Sequence, residues 1–168
     1  LRFPVSFFEG DDIPLIAEHT ASFRSMSKMS AGLRDKALGS GELAFLLNDW
    51  IEARFKLPIA DLPDLRDLSP EDAAATLRRI WGLGEAPVEN LIHLLEARGI
   101  RVYSLAIDAR EVDAFSVWND NRPFVFLNTM KSAEHSRFDA AHELGHLVRD
   151  RYSMLHGGEH TPEMEREA

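Results

Sequence analysis

Two histidines separated by three residues, with a glutamate directly after the first, form the sequence AHELGH at residues 141–146. If this stretch is helical, His142 and His146 project from one face about one turn apart, so both imidazoles can point at one metal ion. Glu143 is rotated by about 100° around the helix axis, where it can accept a proton from a water molecule that the ion activates. The pattern indicates a zinc-dependent hydrolase site with two histidine ligands and Glu143 as the catalytic base.

The same three residues could instead form a polar patch on a buried helix. A chance HExxH pattern is expected roughly 0.03 times in a chain of this composition, which disfavours accident. Gly145 lies between the two histidines, and glycine costs roughly 1 kcal/mol in a helix interior, where it is usually kept for close packing. We therefore favour the metal site over the polar patch.

A zinc site of this kind needs a third protein ligand. The chain contains no cysteine, so that ligand must be a histidine or a carboxylate. The downstream candidates are His156, Glu159, His160, Glu163, Glu165 and Glu167. A ligand on a second packed helix is held more firmly than one on a loop, which favours the three glutamates of a helix predicted to begin at Thr161-Pro162. Spacing alone does not separate Glu163, Glu165 and Glu167, and His156 and His160 are candidate accessory donors to an oxyanion.

The composition is typical of a soluble cytoplasmic protein. The chain has 168 residues, of which 45% are hydrophobic and 28% charged, and its formal net charge is -9. Charged residues interrupt every apolar stretch, and the first residues do not resemble a signal peptide, so we expect no membrane association. The acidic balance argues against a broad nucleic-acid-binding face. The oligomeric state cannot be predicted from these features.

The elements around the motif predict an α+β fold with helices first, then a small three-stranded, mostly antiparallel sheet packed on the motif helix. One long helix is predicted from about Ser30 to Leu57. Its buried face is expected to consist of apolar residues at helical spacing, with Phe45 as an exception on the polar side. The residues of that predicted face are Leu43, Leu46, Leu47, Trp50 and Ile51. Two shorter helices are predicted from Ser69 and from Pro87.

Three β-rich segments at 101–107, 113–118 and 123–128 predict the sheet, the last two as a hairpin around a cluster of turn-forming residues. The motif helix is predicted from about Ser136 to Val148. Pro123 at the start of the third segment suggests an edge strand. Its residues Phe124, Val125 and Phe126 could then pair with an extended peptide substrate by adding a strand to the sheet.

The second half of the chain resembles the ImmA/IrrE family of bacterial and phage metallopeptidase-like proteins. The resemblance is carried by DAFSVW, RPFVFLN, RFDAAHELGH and EREA. It implies a gluzincin-like site in which Glu165, aligned through EREA, is the third zinc ligand. It also implies a protein substrate, typically a transcriptional repressor. On this basis residues 61–168 are expected to be the peptidase domain, truncated at its C-terminus.

Residues 1–60 are expected to form a helical lead-in or linker. They resemble the region that follows an Xre-type helix-turn-helix in longer family members, which implies contact with DNA only through an N-terminal domain outside this sequence. The leading functional hypothesis is thus a regulatory zinc endopeptidase. The alternatives are a sensor or antitoxin-like regulator that uses the peptidase fold for interaction, and a domain whose zinc occupancy is itself the signal.

Overall fold

The computed structural model describes residues 30–105, 112–151, 154 and 161–168, together with positions 4, 5, 9, 13, 15, 16 and 21. Five helices and three strands occur in this part of the chain, which confirms the predicted α+β class. In chain order they are α1 Ala31–Glu52, α2 Pro70–Ile80, α3 Leu91–Ala97, β1 Arg101–Ser104, β2 Ala114–Asn119, β3 Arg122–Leu127, α4 Ala133–Arg149 and α5 Pro162–Glu167. None of these helices is long and apolar enough to cross a membrane.

Side-chain caps determine where most of the helices begin. Ser30, Ser69, Ser132 and Thr161 each accept a hydrogen bond from the backbone N–H three residues further on, at the starts of α1, α2, α4 and α5. Asn90 caps α3 in the same way, so this helix begins four residues later than predicted. The motif helix begins at Ala133, three residues earlier than predicted, because Ser132 is its cap.

The sheet has the strand order β1-β3-β2, with β1 parallel and β2 antiparallel to β3. The predicted hairpin is present, and Asp120 adopts a positive φ of 57° at its turn. The prediction of an edge strand at Phe124, Val125 and Phe126 is wrong, because β3 is paired on both sides. Pro123 is tolerated because it precedes Phe124, the first residue paired with β1. These buried residues therefore cannot pair with a peptide substrate.

The sheet lies between α1 on one side and the helices α2, α3 and α4 on the other. On the first side, Ala37, Leu38 and Phe45 pack against Phe115, Phe124 and Phe126. On the second side, residues of the three helices pack against alternate residues of the strands. That second cluster includes Trp81, Leu95, Ala114, Trp118, Val125, Leu127, Ala140 and Leu147. The motif helix is thus held directly against the sheet.

The face of α1 that contacts the sheet differs from the predicted one. Phe45 is buried, with its ring centroid 4.6 Å from that of Phe124. Gly41 lies on the same face, and a Cβ there would be 3.4 Å from the rings of Phe115 and Phe126. Four residues of the predicted buried face are 43–60% exposed, namely Leu43, Leu46, Leu47 and Trp50. The prediction for this face was therefore wrong.

Candidate metal centre and catalytic base

The side chains of His142 and His146 from α4 and Glu165 from α5 converge on one point. The Nε2 atoms of the two histidines are 3.2 Å apart. The carboxylate of Glu165 places Oε2 3.2 Å from Nε2 of His142 and Oε1 3.7 Å from Nε2 of His146. The structure therefore brings together the two motif histidines and the glutamate that the family resemblance implied.

The spacing of these three ligand atoms suits zinc. Bonds of about 2.0–2.1 Å in a tetrahedral arrangement would separate neighbouring ligand atoms by about 3.3 Å, close to the separations in the structure. The donor set, two imidazole nitrogens and one carboxylate, is one that zinc accepts in catalytic sites. His146 is fully buried, whereas the side chains of His142 and Glu165 keep 10% and 18% exposure. The centre is thus enclosed but still open to solvent on one side.

Asp150 orients His146 from the next turn of the chain. The Nδ1–H of His146 donates to Oδ2 of Asp150 over 2.7 Å, and this bond leaves Nε2 with its lone pair directed at the ligand cluster. Burial alone would lower the pKa of His146, but the hydrogen bond to Asp150 and the charges of Glu143 and Glu165 outweigh it, so the pKa is raised above its ordinary value. Sequence reasoning missed Asp150, although its i+4 spacing from His146 was a usable signal.

Glu143 lies beside the ligand cluster and is fully buried against the sheet. Its Oε2 accepts a hydrogen bond of 2.7 Å from the hydroxyl of Ser116, a residue of β2. Sequence reasoning missed this contact as well. The signal was present, because Ser116 is the polar residue inside the otherwise apolar stretch AFSVW.

The other candidate third ligands have different surroundings. Glu167 pairs with Arg149 at 2.8 Å, and Glu163 is exposed to solvent. Gly145 allows α5 to lie close to α4, since a Cβ at this position would be 2.7 Å from the carbonyl oxygen of Ala168. The candidates His156, Glu159 and His160 lie outside the described residues, so nothing follows about an accessory role for the two histidines.

A second group of acidic and histidine side chains lies at the start of α4. It consists of Asp113, His135 and Asp139, with Nε2 of His135 3.5 Å from Oδ2 of Asp139. Lys131 contacts the carboxylate of Asp113 and lies 3.3 Å from Nε2 of His135. Because a lysine ammonium already supplies positive charge there, we interpret this group as an ion-pair cluster that joins the loop before α4 to the start of β2.

The α+β fold brings His142, His146 and Glu165 into a group that could hold a metal ion. Residues 95–168, which contain all three strands, α4 and α5, match the family model of peptidase family M78, described as the IrrE N-terminal-like domain. The match covers less than half of the chain and confirms the predicted resemblance of this part to the ImmA/IrrE family. Comparison with curated proteins and with solved structures gave no match.

Proposed function

We propose that the chain carries a zinc-dependent endopeptidase domain that hydrolyses a peptide bond in a protein substrate. The observation that supports it most is the convergence of His142, His146 and Glu165 beside the buried carboxylate of Glu143. The family match supports a peptidase in general terms. A transcriptional repressor as the substrate and a cytoplasmic location in bacteria belong to the proposal and rest on the resemblance and the composition.

The two histidine Nε2 atoms and the carboxylate of Glu165 would hold the metal. Bound zinc supplies a Lewis acid that polarises the scissile carbonyl and lowers the pKa of water to about 7. Glu143 removes a proton from the attacking water and returns it to the leaving amine, so one side chain serves as base and then as acid. The contact with Ser116 fixes one oxygen of that carboxylate.

The test separates metal binding from proton transfer. Glu143→Gln should keep the zinc affinity of the wild type and lose roughly 10²-fold or more in kcat, because the amide cannot accept the proton. His146→Ala should lose both zinc and activity. Zinc content is measured on the purified proteins. Cleavage is followed with a fluorescence-quenched peptide library and with the repressor encoded nearest to the gene. A Glu143→Gln variant that cleaves as fast as the wild type would show that the mechanism is wrong.

A second candidate function is a sensor or antitoxin-like regulator that uses the same fold to bind a partner. The exposed apolar face of α1 favours it, because Leu43, Leu46, Leu47 and Trp50 are all at least 43% exposed and contiguous apolar surface often marks an interaction site. The Glu143→Gln variant discriminates between the two functions. It should abolish regulation in cells if cleavage is required, and leave regulation intact if binding is sufficient.

A further inference from the structure

Ser116 places a hydroxyl group inside an apolar surface. It lies in the middle of β2, paired with Val125 of β3, and is fully buried. Strand alternation directs Phe115 and Val117 towards α1, whereas Ser116 faces α4. The other strand residues in the core on the α4 side of the sheet are apolar, namely Ala114, Trp118, Val125 and Leu127. A hydroxyl in such a place has to find its partner within the protein.

That partner is the carboxylate of Glu143. Oγ of Ser116 lies 2.7 Å from Oε2 of Glu143, a length typical of a hydrogen bond from a hydroxyl to an ionised carboxylate. An ionised carboxylate can only accept, so Ser116 is the donor. Because Glu143 is also fully buried, bulk water cannot substitute for this donor. The bond therefore fixes one oxygen of Glu143 against the sheet and restricts the rotamer of the side chain.

We infer that Ser116 is a positioning residue that holds Glu143 in the orientation needed for proton transfer. The inference rests on the proposed function, because it assigns Glu143 the role of base. In this account β2 contributes to catalysis through the hydroxyl of Ser116, whereas the metal would be held by residues of the two helices α4 and α5. Loss of the hydroxyl should reduce turnover and leave metal binding intact.

The kinetic test compares three variants of the zinc-loaded chain. Ser116→Ala should lower kcat about 10-fold or more with KM within about two-fold of the wild type and an unchanged Kd for zinc. Ser116→Thr, which keeps the hydroxyl and suits a strand, should recover most of the loss. Ser104→Ala is the matched control, because Ser104 is on the same sheet and has a hydroxyl contact of the same 2.7 Å, to Thr129. A kcat for Ser116→Ala within two-fold of the wild type, or a parallel loss of zinc, would overturn the inference.

A melting experiment on the metal-free chain tests the contact without turnover. Ser116→Ala should lower Tm by about 2–4 °C in the wild type but hardly at all in Glu143→Ala, because the partner is then absent. Equal shifts in both backgrounds would refute the contact. If wild type binds zinc but cleaves nothing, the proposed function fails while this cycle still reports on Ser116. If wild type cleaves and Ser116→Ala cleaves equally well, the positioning role alone fails.

Discussion

Asp150 is expected to control zinc affinity through its hydrogen bond with His146. Removing this partner of a metal-binding histidine typically weakens metal binding by about 10–100-fold, or about 1.4–2.8 kcal/mol. The burial of His146 and Asp150 determines which end of this range of about 10–100-fold applies. His146 is fully buried and the side chain of Asp150 is only 10% exposed, so water cannot readily replace the lost acceptor. We therefore expect close to 100-fold for Asp150→Ala, and close to 10-fold for Asp150→Asn, which keeps an acceptor oxygen and loses only the charge.

The assay is a competition titration of the metal-free protein against a fluorescent zinc chelator at neutral pH. Circular dichroism checks that each variant is folded before its affinity is compared. Asp67→Ala serves as the control, because Asp67 is exposed and lies in the loop before α2. If Asp150→Ala binds zinc within two-fold of the wild type, the carboxylate of Asp150 does not orient His146 and the reasoning is refuted.

Three further predictions concern the packing of α5, the packing of α1 and the charge of Glu52. Gly145→Ala should weaken zinc binding at least 10-fold, because its Cβ would lie 2.7 Å from the carbonyl oxygen of Ala168 and displace α5. Gly39→Ala is the control. A Cβ at Gly39 has nothing within 4 Å, so this variant should keep the zinc affinity and stabilise the fold by up to about 1 kcal/mol. If both alanines have the same effect on zinc affinity, α5 does not depend on Gly145. Phe45→Ala should lower the free energy of unfolding in urea by about 3–5 kcal/mol and Leu47→Ala by less than about 0.5 kcal/mol, because Phe45 is buried and Leu47 is exposed. A larger loss for Leu47→Ala than for Phe45→Ala would show that α1 docks through the face predicted from the sequence. Burial raises the pKa of Glu52, but hydrogen bonds from two arginines and an asparagine outweigh it and hold the pKa below 4.5. Its contribution to stability is therefore present above pH 4.5 and lost as the pH falls through the lowered value. Glu52→Gln should have a lower urea midpoint than the wild type at pH 7 and an equal one well below pH 4, and a constant difference across this range would contradict the assignment.

The parts of the site set by local geometry were predictable from the sequence. On a helix the four-residue spacing of His142 and His146 places both side chains on one face, with Glu143 beside them. Serine caps determine where such helices begin. The third ligand was different, because three glutamates of one short helix satisfy the same spacing. Only the resemblance selected Glu165, and its approach to the histidines depends on packing at Gly145, a contact between helices.

The errors concern contacts between distant parts of the chain. The hairpin of β2 and β3 is local and was predicted, whereas the parallel pairing of β1 with β3, which places Phe124–Phe126 in the centre of the sheet, was not. Hydrophobicity along α1 favoured the wrong face, because the side that docks is the one whose residues Ala37, Leu38 and Phe45 fit the aromatic side chains of the sheet. Ser116 was overlooked for the same reason, since its role depends on Glu143, which follows it by 27 positions.

Zinc binding by single-ligand variants tests the central claim most directly. The measurement is the zinc stoichiometry and Kd of the purified chain, of His142→Ala, of Glu165→Ala and of Glu163→Ala. We predict one tightly bound zinc per chain in the wild type and in Glu163→Ala, whose side chain is exposed, and a loss of tight binding in the other two. A wild type that binds no zinc, or a Glu165→Ala variant that binds it as tightly as Glu163→Ala, would contradict the proposed metal centre.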